Sequence, residues 1–179
     1  LRVVYQWVCK NHPRADEPQY PLWQGLPMDA KLTRAELAER VDACTGVRKP
    51  AAQRTEQQKA NLATILNVIR IPEGSLIGHL NWATWLFRDL VQLRLDGRNP
   101  FGNVGARYQG SADDAAFNAG VARYAADPQA VAALARDSAP TGQVRVPVLT
   151  LHAIHDPTAF VELESAYRET LEGAGQGER

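Results

Sequence analysis

The sequence predicts an α/β chain, mostly helical, with one or two strands of an incomplete parallel sheet. Three observations predict it. Helix signals (capping residues followed by apolar positions three and four apart) recur from residue 33 to residue 138. The character then changes at 144–151, VRVPVLTL, a short β-branched apolar run bounded by turn residues. Finally, 179 residues at 45% apolar amount to about one domain with enough apolar side chain for a core. The chain divides into a Pro-rich connecting segment, 1–32, a helical portion, 33–143, and a closing strand–turn–helix, 144–179.

Residues 1–9, LRVVYQWVC, are short enough to form a helix or a strand, and their β-branched and aromatic content leans towards strand. Pro13, Pro18, Pro21 and Pro27 then forbid regular structure over 11–31. Tyr20, Leu22, Trp23, Leu26 and Met28, interleaved with these prolines, are expected to cover a neighbouring surface. Thr33-Arg34-Ala35-Glu36 reads as a capping box, and Leu37, Val41 and Cys44 form one face of the helix it starts, which Gly46 ends. A second helix is expected over 51–70, polar in its first half, with Leu62, Ile65, Leu66 and Ile69 as its apolar stripe and Pro72 as its stop. A third, from Ser75 to Leu95, is apolar on more than one face. Asp96-Gly97 and Asn99-Pro100 open a Gly/Asn loop over 96–110 that holds Phe101, Val104 and Tyr108. Ser111 to Asp114 and Asp127-Pro128 each read as the start of a further helix. After the strand-type run and a polar turn, 152–157, a last helix is expected over 159–172 with Phe160, Leu163, Tyr167 and Leu171 on one side. A single strand needs sheet neighbours that this sequence does not offer. Together with an opening at Leu1 inside an apolar stretch and a polar, Gly-rich finish, this suggests a piece of a longer protein.

Charge narrows the partners. Twenty basic residues balance twenty acidic ones, and the 16 arginines are scattered without a block, which argues against nucleic acid. No apolar run is long enough to span a membrane. Cys9 and Cys44 fit no metal-ligand spacing. They read either as two small buried hydrophobes or as a disulfide closing a loop of about 34 residues, which contributes on the order of 3–4 kcal/mol in the chain-entropy model. A disulfide would imply a secreted or periplasmic protein. No metal site, phosphate-binding glycine loop or cofactor motif is read: Gly97, Gly102, Gly105 and Gly110 lack a preceding strand, and His152, His155 and Asp156 match no ligand framework.

The chemistry-bearing stretch is Val146 to Thr158. An Asp just past a strand end, followed by Pro, is placed to orient a histidine, a task that needs a fixed carboxylate accepting from a ring N–H. Through Pro147, Val148, Leu149, Leu151, His152, Asp156 and Pro157 this stretch resembles the late strand and acid-bearing turn of the α/β-hydrolase family, with Ala153 where that family prefers Gly. Residues 160–171 resemble the helix after the acid, and 33–138 the helical cap many members insert before the strand. The resemblance implies that Asp156 is the acid of a Ser-His-Asp triad, the parent a carboxylic ester hydrolase. The nucleophile motif G-x-S-x-G is absent around Ser75, Ser111, Ser138 and Ser165, so the serine would precede Leu1 and the base follow Arg179. The partners implied are the remainder of the same polypeptide, carrying nucleophile and base, and a small-molecule ester. The chain alone is expected to be inactive.

Each residue also has a plainer reading. Asp156 can serve as a turn or helix-cap carboxylate. Trp82 and Trp85, candidates for lining an acyl or aryl pocket, can be ordinary core. His12 fits a loop contact, His79 a satisfied helical histidine, His152 a structural role at the strand end, and His155 lies too close to Asp156 for a relaxed triad pair. The alternative for the whole chain is a helical binding module without chemistry.

Overall fold

In the computed structural model, which describes residues 1–10 and 20–177, the chain is helical. His12, Pro13 and Pro18 lie outside the described residues. Among the described residues eight α-helical segments follow in order: α1 Arg2–Cys9, α2 Arg34–Thr45, α3 Glu56–Ile69, α4 Leu76–Asn81, α5 Phe87–Asp89, α6 Asp114–Gly120, α7 Pro128–Ser138 and α8 Glu162–Gly173. Two π turns, Trp82–Leu86 and Leu90–Arg94, run on from α4 and α5 without a break. The chain forms two compact units, 1–131 and 132–179.

The expected α/β class is corrected: no strand occurs among the described residues. Residues 144–151 are irregular, and Val146, Leu149 and Leu151 stand 63%, 97% and 101% exposed. A β-branched run becomes a strand only when a second backbone supplies the ladder hydrogen bonds, and none does so here. The leaning of residues 1–9 towards strand is corrected as well. Leu1, Val4, Tyr5 and Val8 stand at i, i+3, i+4, i+7, the spacing of a helical stripe. As α1 they turn that stripe inward, burying Val4 and Tyr5 in the core.

That core joins α1, α2, α3 and α4 through Val4, Val41, Ile65, Leu76 and Leu80, all essentially solvent-free. Helix α2 starts with the capping box Thr33–Glu36 and ends at Gly46 in the left-handed conformation. Helix α3 starts at a second capping box, Thr55–Gln58. Side chains in and just before its polar first half donate to carbonyls at and just beyond the end of α2. Gln58 Nε2 donates to the Asp42 and Ala43 carbonyls, Asn61 Nδ2 to that of Cys44, and Arg54 to those of Gly46 and Lys49. Arg54 also pairs with Glu73. Cys9, at the end of α1, and Cys44, near the end of α2, are joined in a disulfide with Cα atoms 5.7 Å apart.

The Pro21–Leu26 loop is bonded into the π turn. The Leu26 N–H donates to the Thr84 carbonyl at 2.9 Å, and Gln92 Nε2 donates to the carbonyls of Gln24 and Leu26. Gly25 sits at φ +73°, where a Cβ would stand 2.5 Å from the Arg88 backbone nitrogen, so only glycine lets the two backbones meet. The Gly/Asn loop is ordered by asparagines. Asn99 bridges Phe101 N–H and the Ala125 carbonyl, Asn103 bridges Tyr124 N–H and the Ala122 carbonyl, and Asn118 bridges Tyr108 N–H and its carbonyl.

Candidate functional site

Two places carry chemistry, one in each unit. The first is the turn before α8. Asp156 Oδ1 accepts the backbone N–H groups of Thr158 at 2.7 Å and Ala159 at 3.0 Å. Those two donors, Ala159 first, hold its carboxyl below the usual aspartate range, and the nearby charge of His152 adds to the effect. Asp156 is therefore an ionised carboxylate fixed by its own turn. His152 is clamped by both ring nitrogens, Nε2 to the Ala159 carbonyl at 2.7 Å and Nδ1 to Glu164 Oε1 at 2.8 Å. Two acceptors on one ring favour the form that donates twice, the imidazolium, and the Ala159 carbonyl and then Glu164 raise its pKa accordingly. Glu164 in turn is lowered, first by the Thr150 hydroxyl and then by His152. His152 and Asp156 interact through charge, while their hydrogen bonds go to other groups. His155 is exposed.

Three of the four serine hydroxyls serve local structure. Ser75 Oγ donates to the Pro72 carbonyl, Ser111 Oγ to Asp114, and Ser138 Oγ to the Leu134 carbonyl. Among the described residues no group of three or more His, Cys, Asp or Glu could hold a metal ion. Among the same residues, no helix is long and apolar enough to cross a membrane.

The second place is a cavity of about 270 Å³ in residues 1–131. Trp23, Phe87, Phe101, Tyr108 and Tyr124 supply its aromatic wall, with the Phe87 and Phe101 ring centroids 4.7 Å apart. Arg2 supplies its charge. The guanidinium donates to Tyr20 Oη at 2.9 Å, to Thr84 Oγ1 at 3.1 Å and to the Ala83 carbonyl at 3.5 Å, and stacks 5.7 Å from the Tyr20 ring centre. Trp82 and Trp85 do not line this cavity. Trp82 is half-exposed beside the His79 ring, and Trp85 packs on the core beneath Arg34. The aromatic residues that do line it come mainly from segments rich in Pro, Gly and Asn. The signal was present there: large apolar side chains in an irregular segment have to be covering something.

Comparison with family models, with curated proteins and with solved structures returned no match to this chain.

Proposed function

We propose that this chain belongs to a serine hydrolase acting on carboxylic esters, with Asp156 as the carboxylate that orients a histidine supplied by polypeptide outside these residues. The observation that carries this reading is the setting of Asp156. A fixed, ionised carboxylate lies in a stretch of sequence whose apolar residues Val146, Leu149, Leu151, Ile154 and Phe160 are each more than half exposed. So many bare apolar side chains in one short segment support a covering by something else. Preorganisation by the turn is also what an orienting carboxylate needs, since it must hold the imidazole in one tautomer.

The test is hydrolysis of p-nitrophenyl butyrate by the longer polypeptide and by this chain alone. The longer polypeptide turns the ester over, the Asp156→Asn variant loses about 10⁴-fold in kcat, and the chain alone is inert. An Asp156→Asn variant with undiminished kcat overturns the reading, as does turnover by the chain alone. The Cys9–Cys44 bridge supports an oxidising compartment, secreted or periplasmic.

The second reading, a helical module that binds without chemistry, is favoured by one observation: the Ser75, Ser111 and Ser138 hydroxyls are spent on local bonds. The flanking gene sequence separates the two. A G-x-S-x-G before Leu1 and a histidine after Arg179 favour the enzyme, and their absence favours the module.

A further inference from the structure

We infer that the cavity of residues 1–131 is a binding site for a small amphipathic carboxylate, an aryl- or alkyl-substituted acid whose apolar body lies on the aromatic wall and whose carboxylate meets Arg2. Three features combine to give this chemistry. The volume, about 270 Å³, stands just below the range for drug-sized ligands and suits a smaller one. The wall, with Trp23, Phe87 and Phe101, suits a ring or a short chain. The one formal charge contributed by a side chain at the wall is Arg2, whose hydrogen bonds among the described residues go to neutral oxygens, those of Tyr20, Thr84 and Ala83. A half-buried guanidinium gains most from a carboxylate, which accepts two of its N–H groups in parallel. No carboxylate among the described residues bonds to it.

The π turns support the assignment independently. Such turns are rare, occur mostly as single-turn interruptions within α-helices, and are frequent at functional sites. Here the π turn Trp82–Leu86 puts Ala83 on the cavity wall and is followed directly by Phe87. The site stands apart from the hydrolase reading: it needs neither Asp156 nor any residue outside this chain.

Titration calorimetry of this chain with 3-phenylpropanoate and with its neutral isostere 3-phenylpropanamide tests the inference. The acid binds about tenfold or more tightly than the amide, in keeping with a charge-assisted pair. Arg2→Gln removes that preference, and Phe101→Ala weakens both ligands. Circular dichroism checks that each variant is folded. The comparison of acid with amide on the unaltered chain needs no variant, so a misfolded Arg2→Gln leaves the test intact. Equal affinity for acid and amide, absence of binding by the acid at millimolar concentration, or a folded Arg2→Gln that keeps the preference overturns the inference. None of these results alters ester turnover by the longer polypeptide, so the two proposals fail separately.

Discussion

In residues 1–131, α1 to α4 bring Val4, Val41, Ile65, Leu76 and Leu80 into one core and lock α1 to α2 through Cys9–Cys44. In the described part of 132–179, Leu171 is the one apolar side chain that is buried. Order there comes from polar groups: Asp156 on its turn, His152 between Ala159 and Glu164, and Glu164 with Thr150. The contrast teaches that hydrogen bonds can define a turn without supplying the burial that makes a folding unit stable. Each neutral bond nets only about 1 kcal/mol against water, while a fully buried Leu contributes about 2 kcal/mol and does so many times over in a core.

The comparison can be tested from its strongest element downwards. Replacing Cys9 and Cys44 together by Ser removes about 3–4 kcal/mol through loop closure. The loss should fall on residues 1–131 alone, which amide hydrogen exchange resolved by residue would read. Leu80→Ala should cost about 3 kcal/mol, since it empties a solvent-free position in the core, and denaturant titration measures it. A loss of the same size in both units would show that they unfold as one.

Protonation of the C-terminal turn gives a subtler effect. The His152 pKa is raised, so its stabilisation is complete below the ordinary histidine value and disappears as pH rises through the raised one. Asp156 and Glu164 are lowered, so theirs is present above ordinary carboxylate values and is lost as pH falls through the lowered ones. The turn is therefore tightest in the window between. A His152 ring-proton titration by NMR should have its midpoint above that of a free histidine, and Glu164→Gln should bring it down. Smallest of all is Leu149→Ala. At 97% exposure it should leave the stability of this chain unchanged within about 0.5 kcal/mol.

Much of the helical portion was legible because its signals are local. Thr33 with Glu36, and Asp127 before Pro128, announce helix starts that the structure contains. Thr55 with Gln58 carries the same signal three residues apart, and it sets the start of α3 at Glu56 rather than near residue 51. The stripe in α1 was legible too, but the β-branched composition of the segment outweighed it. At the C-terminal turn, the sequence singles out Asp156 and names turn carboxylate as one of its roles; the hydrogen bonds to Thr158 and Ala159 have that geometry. The clamp from His152 to Glu164 was not legible, because it spans twelve residues of which the intervening turn sets the direction.

What the sequence by itself determined is the set of contacts between residues three or four apart: the caps, the left-handed stop at Gly46 and the amphipathic stripes, all of which depend on covalent spacing and backbone geometry. Only the tertiary structure decided that VRVPVLTL forms no strand, that Cys9 meets Cys44, and that Trp23, Phe87 and Phe101 share a cavity with Arg2 while Trp82 and Trp85 do not. Those outcomes depend on which distant backbone or side chain arrives as a partner, and a ladder, a bridge or a cavity exists only once both sides are in place.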